Sequence, residues 1–136
     1  MIDSNILVYA HDSVDLHKHT KANELLERLE AEGQLNVSVQ TLHEFYVRAT
    51  KPNRSPALSP AEAKAVVDDF FAVATVYPLS PDVSRRAFSA VSKYKMSLWD
   101  ALIWAVAKEY GDSVVYTEDI QSQPEIEGVR YINPLM

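Results

Sequence analysis

Short runs of β-branched and aromatic residues alternate along the chain with longer stretches in which apolar positions recur at helical spacing. The short runs predict strands at residues 1–3, 35–39, 75–79, 113–117 and 129–132. The longer stretches between them predict helices. This alternation is typical of βαβ units. It predicts an α/β fold with three layers, in which a central parallel sheet of about five strands is covered by helices on both faces.

Local capping patterns predict where several of the helices begin and end. The segment Ser-Pro-Ala-Glu at 59–62 combines a capping box with a proline at the first helical position. The pair Ser-Pro at 80–81 predicts a second helix start of the same kind. Gly111 predicts the end of an apolar helix that begins near Leu98.

Composition predicts one globular domain over residues 1–136, because 47% of the residues are hydrophobic and 24% are charged. Without cysteine, the chain can hold neither a disulfide nor a thiolate metal site, so a metal would need oxygen or imidazole ligands. The sequence has neither a signal-peptide pattern nor an apolar run long enough to cross a membrane. We therefore expect a cytoplasmic protein.

The net charge of −6 argues against binding nucleic acid by bulk electrostatic attraction. A nuclease remains compatible with this charge if several of the acidic residues are metal ligands. A bound divalent ion would reverse the local field where a phosphate must lie.

Asp3 and Asp119 follow predicted strands, and the carboxyl ends of parallel strands face the crevice in which such folds bind ligands. Each residue has a structural alternative. Asp3 has the residue type and position of an N-cap for the helix that begins at Ser4. Asp119 has the character of a solvated turn residue.

Asp100 is the only charged residue at the start of an apolar helix. Ser97 and Asp100 have the spacing of a capping box, and a carboxylate in a first turn also complements the helix dipole. Helical spacing places Asp100 near the face of Ile103 and Ala107, so it is expected to point inward or into a cleft, where a metal would relieve the cost of its charge. Both interpretations stay open. The neighbouring Trp99 and Trp104 are compatible with a buried interface and equally with core packing.

Other kinds of catalytic site find little support in the sequence. The four histidines lack the spacing of a zinc site, and the chain contains only three glycines and no Gly-rich phosphate loop. No serine occupies a nucleophile elbow. Acyl transfer and nucleotide-cofactor chemistry are therefore disfavoured.

Five segments, taken in order, resemble the PIN-domain family, and within it the VapC-type toxins of toxin–antitoxin pairs. They are IDSNILVYA at 2–10, SVQTLHEF at 38–45, WDALI at 99–103, TEDIQ at 117–121 and GVRYINP at 128–134. The similarity spans nearly the whole chain. Only two residues precede Asp3, whereas the family usually has a longer first strand, so we expect a short first strand or a start farther upstream.

The resemblance implies a set of catalytic and metal-binding carboxylates. These are Asp3, Glu44, Asp100 and, at a more variable position, Asp119. It also implies that Asn5 and Thr117 border the site, whereas Glu118 is an additional carboxylate with no assigned role. Glu44 depends on the resemblance alone, because apolar residues lie on the opposite side of its predicted helix and periodicity favours a solvated glutamate.

The resemblance further implies an endoribonuclease that uses Mg²⁺ or Mn²⁺, the ions that suit a cluster of oxygen ligands. Its expected products carry a 5′ phosphate and a 3′ hydroxyl. The expected partners are an RNA substrate, a cognate antitoxin and a second copy of the chain. The candidates to bind the RNA backbone are Arg48, Lys51 and Arg54. The alternative is that they form a solvated basic surface.

Two other classes of protein remain as alternatives. A non-catalytic PIN-like module could use the acidic surface to bind a basic protein. A receiver-like signalling domain also gathers carboxylates around Mg²⁺, but it would need a lysine after the last strand, where this chain has Ile-Asn-Pro at 132–134.

Overall fold

Helices and strands alternate in the computed structural model, which describes residues 1–54 and 56–136. The helices are α1 (Ser4–Ala10), α2 (Leu16–Ala31), α3 (Val39–Ala49), α4 (Pro60–Val73), α5 (Pro81–Tyr94) and α6 (Leu98–Glu109). The strands are β1 (Asn36–Ser38), β2 (Thr75–Tyr77), β3 (Val114–Tyr116), β4 (Glu125–Ile126) and β5 (Val129–Ile132).

Residues 1–3, here called the N-terminal segment, lie between two groups of strands. The amide of Ile2 donates to the carbonyl of Asn36 on one side, and the amide of Asp3 donates to the carbonyl of Tyr116 on the other, each over 3.0 Å. β1 pairs in parallel with β2, and β3 pairs in parallel with β5. The order across the sheet is therefore β2, β1, N-terminal segment, β3, β5, β4.

The predicted α/β class and parallel pairing are confirmed, and the predicted strand count is confirmed in part. The N-terminal segment forms a single bridge, between Ile2 and Tyr116, and not a full strand. The antiparallel strand β4 was not predicted, because two residues are too few to show a periodic pattern. It joins β5 through a tight turn in which Glu127 and Gly128 both have positive φ.

The predicted helix boundaries are confirmed. Ser59 and Ser80 cap α4 and α5, and each side chain accepts a hydrogen bond of 3.1 Å from the amide three residues later. α6 ends at Glu109, and Gly111 follows with a φ of 74°, a conformation that favours glycine.

The core consists of two apolar clusters on opposite faces of the sheet. Met1 belongs to the cluster around α5 and α6, and Ile2 belongs to the cluster around α1, α2 and α3. Because neighbouring residues in extended backbone point to opposite faces, this division places the sheet between two helical layers. The helices of the described residues include none that is long and apolar enough to cross a membrane.

Candidate active site

The carboxyl ends of adjacent strands meet at one edge of the sheet. Asp3 ends the N-terminal segment, Ser38 ends β1 on one side of it, and Thr117 follows β3 on the other. After the N-terminal segment, the chain builds the sheet outward through β1 and β2 and then returns to add β3 on the opposite side. Parallel sheets form their binding crevice at such a reversal of strand order.

The Asp3 carboxylate accepts hydrogen bonds on both oxygens. Oδ1 accepts from the Ser4 amide at 2.7 Å, so Asp3 is the N-cap of α1, as the structural alternative predicted. Oδ2 accepts from Thr117 Oγ1 at 2.7 Å and from Asn5 Nδ2 at 3.4 Å. Capping therefore uses one oxygen and leaves the other directed toward the strand ends.

The charge on Asp3 is poorly stabilised. Burial raises the pKa of Asp3, and the negative charges of Glu44 and Asp100 raise it further. The hydrogen bonds from Thr117 and Ser4 act in the opposite direction and only partly offset this rise. The carboxylates of α3 and α6 thus lie close enough to act electrostatically on Asp3.

Asn5 links Asp3 to Asp119. The Asn5 side chain is buried, and its Nδ2 donates to Thr117 Oγ1 at 3.1 Å and to Asp119 Oδ2 at 3.3 Å. Its Oδ1 accepts from the Glu118 amide at 3.3 Å, and Thr117 Oγ1 accepts from the Asp119 amide at 3.0 Å. These contacts bring together four of the residues that the sequence nominated, from segments more than 100 positions apart along the chain.

Glu44 faces the site, so the periodicity argument for a solvated glutamate is wrong. Its half-buried carboxylate accepts a hydrogen bond from Ser4 Oγ at 3.1 Å and another from Gln40 Nε2. The physical reason is that α3 packs against α1 as well as against α4 and β1. A side chain opposite the main apolar stripe of α3 is therefore still covered.

Asp100 lies half-buried in the first turn of α6. Its amide donates to Ser97 Oγ at 3.1 Å, which gives one half of the predicted capping box. Among the residues that the structure describes, none donates a hydrogen bond to the Asp100 carboxylate. Gln40 Nε2 also donates to the carbonyl of Trp99 at 3.2 Å, which connects the start of α6 to α3 beside Glu44.

The donor chemistry of this cluster fits a hard divalent ion, because every candidate ligand is a carboxylate oxygen. Within residues 1–54 and 56–136, the placement of the side chains groups no three acidic or histidine residues closely enough to hold one ion. Joint binding of an ion therefore requires side-chain movement. Because burial and neighbouring negative charges raise the pKa of Asp3, a positive charge nearby would stabilise its ionised form.

The three basic residues proposed to bind the RNA backbone differ in their surroundings. The Arg48 guanidinium donates to Ser4 Oγ at 3.2 Å, so it lies beside the acidic cluster. Arg54 forms an ion pair with Asp12, whereas Lys51 is exposed. Arg48 and Arg54 line a polar cavity of about 350 Å³ that also contains Asn5, Glu118 and Asp119.

Glu118 has structural partners outside the acidic cluster. The Tyr9 hydroxyl donates to it at 2.8 Å, and the Lys18 ammonium contacts both Glu118 and Tyr9. Burial alone would raise the pKa of Glu118, but the hydrogen bonds from Lys18 and Tyr9 lower it overall. Glu118 therefore ties the loop after β3 to α1 and α2.

Tyr131 is a site neighbour that sequence reasoning missed. Its side chain is buried, and its hydroxyl has no hydrogen-bond partner in the described part of the chain. Burial raises the pKa of Tyr131, as do the negative charges of Asp100 and Asp3. Alternation along β5 could have identified Tyr131 as inward-facing, but not as a neighbour of two carboxylates.

Tyr131→Phe is expected to raise the free energy of unfolding by about 1 kcal/mol, because a buried hydroxyl without a partner costs about that much. Urea denaturation measures the change. Tyr94→Phe is the control, since the Tyr94 hydroxyl donates to Glu127 at 2.7 Å and its removal should give no gain. A loss of stability in Tyr131→Phe would contradict the prediction, because it would mean that the hydroxyl has a partner.

The sequence and the fold both match proteins of one family. Residues 1–127 match the PIN domain family model, and the chain belongs to the PIN-domain family. The resemblance inferred from the five segments is thereby confirmed. Membership of the PIN-domain family argues against a receiver-like signalling domain. No curated protein sequence matches the chain significantly.

Three solved structures with a similar fold are a toxin and two toxin–antitoxin complexes. A toxin–antitoxin complex from Klebsiella pneumoniae is 22% identical, with a TM-score of 0.71 over 98% of this chain and 95% of that one. VapBC2 from Rickettsia felis, bound to a DNA fragment from its promoter, is 18% identical, with a TM-score of 0.70 over 98% and 96%. VapC20 of Mycobacterium tuberculosis, a toxin that cleaves the sarcin–ricin loop, is 18% identical, with a TM-score of 0.65 over 87% and 88%. At these identities the likeness concerns the fold.

Proposed function

We propose that residues 1–136 form one nuclease domain, which acts as a divalent-metal-dependent endoribonuclease and as the toxin of a toxin–antitoxin pair. The observation that carries the proposal is the convergence of acidic residues, distant in sequence, at the carboxyl edge of the sheet in a PIN-family chain. Asp3 and Asp119 share Asn5 and Thr117 as partners, and Ser4 connects this pair to Glu44. VapC20, a toxin of similar fold that cleaves the sarcin–ricin loop, adds support for RNA as the substrate class.

In this proposal Asp3, Glu44 and Asp100 hold Mg²⁺ or Mn²⁺, and Asp119 is a fourth carboxylate at the same edge. When bound, such an ion polarises the scissile phosphate, lowers the pKa of an attacking water and stabilises the departing oxygen. Asn5 donates hydrogen bonds to the carboxylates of Asp3 and Asp119, and Thr117 donates one to Asp3, so both residues orient carboxylates. Both are buried, so their rotamers are restricted by packing.

Arg48 is the nominated cation best placed to contact a phosphate of the substrate. It is exposed, and its guanidinium reaches the hydroxyl of Ser4 at the edge of the acidic cluster. Arg54 is a weaker candidate, because Asp12 already neutralises it. Lys51 stays a candidate on charge and exposure alone.

The proposed partners are a cognate antitoxin and a second copy of the chain. Two of the structural neighbours are toxin–antitoxin complexes, which supports an antitoxin that binds this fold. The acidic cluster would suit a basic antitoxin segment, since such a segment supplies the positive charge that a divalent ion would otherwise supply. The homodimer follows from the family resemblance.

Cleavage of RNA with added Mn²⁺, compared with the same reaction in excess chelator, tests the proposal. We expect cleavage with Mn²⁺ and none with chelator, and products that a ligase requiring a 5′ phosphate accepts. Unchanged cleavage in chelator would reject the metal. If the folded chain cuts none of the ribosomal, transfer or messenger RNA offered, the ribonuclease assignment fails.

A non-catalytic binding module is the second candidate. The observation that favours it is the absence, among the described side chains, of three acidic or histidine residues grouped around a common point. Calorimetric titration with Mn²⁺ separates the two candidates. Heat of binding that Asp3→Asn abolishes favours the nuclease, whereas no binding of Mn²⁺ favours the module.

A further inference from the structure

An open groove of about 570 Å³ borders the acidic cluster on the side of α3 and α6. Its walls include Gln40, His43 and Val47 from α3, Leu79 from the segment before α5, and Trp99 from α6. Glu44 and Arg48 also line it, so the groove is continuous with the candidate active site.

Trp99 presents its indole to solvent at the edge of this groove. It is 63% exposed, although it directly precedes Asp100 in the first turn of α6. The other tryptophan, Trp104, is buried and donates its indole N–H to the carbonyl of Ile126 at 3.1 Å. Core packing therefore explains Trp104 and leaves Trp99 unexplained.

The backbone beneath Trp99 is held in place. Gln40, which is only 7% exposed, donates from Nε2 to the carbonyl of Trp99 and also to the carboxylate of Glu44. One buried amide thus connects the main chain that carries the indole to a candidate catalytic carboxylate. The main chain that carries this aromatic side chain is therefore held beside the acidic cluster.

Arg48 marks the boundary between the groove and the rest of the site. It lines both the groove and the polar cavity that contains Asn5 and Asp119. An exposed aromatic side chain and a guanidinium that line the same groove match the two parts of a nucleotide, the base and its phosphate. Single-stranded RNA is recognised in this way, by stacking of unpaired bases on aromatic side chains.

We propose that Trp99 stacks on the unpaired base that adjoins the scissile phosphate, and that Arg48 contacts the neighbouring phosphate. This inference rests on the proposed ribonuclease function and assigns Trp99 as a specificity-determining residue of the same site. Stacking explains why an indole lies exposed beside Asp100. It would also contribute affinity for RNA in a chain whose net charge of −6 gives little general electrostatic attraction. RNA with an unpaired base at the cleavage position is the favoured substrate.

Binding of a labelled unpaired hexaribonucleotide in excess chelator, followed by fluorescence anisotropy, tests the inference without cleavage. We expect Trp99→Ala and Trp99→Leu to weaken binding about tenfold, because a stacked base contributes strongly to affinity. Trp99→Tyr should retain most of the affinity, since it keeps an aromatic face. Phe88→Ala is the matched control, because Phe88 is 60% exposed on α5 and does not belong to the described groove lining.

Equal binding by wild type and Trp99→Leu would overturn stacking, since leucine keeps the apolar surface and removes the aromatic face. Unchanged binding by Trp99→Ala together with a lower sedimentation coefficient would also overturn it, and would assign the groove to a second copy of the chain. Mn²⁺-dependent cleavage distinguishes failure of the stacking role of Trp99 from failure of the ribonuclease function. Cleavage at equal KM by wild type and Trp99→Ala rejects the role of Trp99 only, whereas no cleavage by wild type rejects the proposed function.

Discussion

Asp100→Asn is expected to reduce RNA cleavage by at least about 100-fold while the chain stays folded. Mutation of a residue that only orients a metal ligand typically lowers activity or metal affinity about 10- to 100-fold. The loss of a ligand itself should lower activity by at least the upper end of that range. The fold should survive because the Asp100 carboxylate is half-buried and accepts no hydrogen bond from the described residues. The hydrogen bond from the backbone amide of residue 100 to the Ser97 hydroxyl remains in the variant.

Glu62→Gln is the matched control for Asp100→Asn. Glu62 occupies the same position in α4 that Asp100 occupies in α6, with its amide bonded to the Ser59 hydroxyl at 3.1 Å. Each substitution removes a charge that complements a helix dipole, at a cost of about 0.3–1 kcal/mol. Equal cleavage by wild type and Asp100→Asn would show that Asp100 is not a catalytic residue. Equal losses of cleavage in Asp100→Asn and Glu62→Gln would show that the effect comes from a destabilised helix.

Asp3→Asn is expected to melt at a higher temperature than wild type in chelator at neutral pH. Burial and two neighbouring charges raise the pKa of Asp3, so the folded state disfavours its ionised form. Because the folded chain holds the Asp3 proton more tightly than the unfolded chain, the free energy of unfolding falls as pH rises from the pKa of Asp3 in the unfolded chain to its pKa in the folded chain. Wild type carries this cost to the extent that the Asp3 carboxylate is ionised, whereas asparagine carries none and still caps α1.

The same variant should lose the stabilisation that Mn²⁺ gives to wild type. An ion present at 100 times its dissociation constant stabilises a folded chain by about 2.7 kcal/mol. Thermal melts with Mn²⁺ and with chelator should therefore rank the two proteins in opposite orders. Asp15→Asn is the control, because Asp15 is also an N-cap, that of α2, where it accepts from the Lys18 amide and lies exposed. If Asp3→Asn gains as much from Mn²⁺ as wild type does, Asp3 is not a ligand.

Local patterns in the sequence predicted the helices and their ends well. Capping at Ser59 and Ser80 involves residues three positions apart, so neighbours in the chain decide it. The N-cap role of Asp3 is local in the same sense. The strands of the parallel sheet were also predicted, because each is a short apolar run between helical segments.

Long-range packing decided what the local patterns could not. The orientation of Glu44 depends on α1 lying against α3, and a single helical period contains no information about that second contact. The proximity of Tyr131 to Asp3 and Asp100 depends on the order of strands in the sheet. β4 forms only because β5 offers it a partner across a two-residue turn.

The amino-acid sequence by itself determined the α/β class, the helix boundaries, the placement of Asp3 at the start of a helix and that of Asp119 after a strand, because each depends on side chains a few positions apart. Only the tertiary structure decided that Asn5 and Thr117 connect these two carboxylates, that Ser4 and Gln40 hold Glu44, and that the Trp99 indole lies exposed beside them. Such contacts join residues from separate helices and strands. They exist only once the two apolar clusters have closed on the sheet and brought its strand ends together.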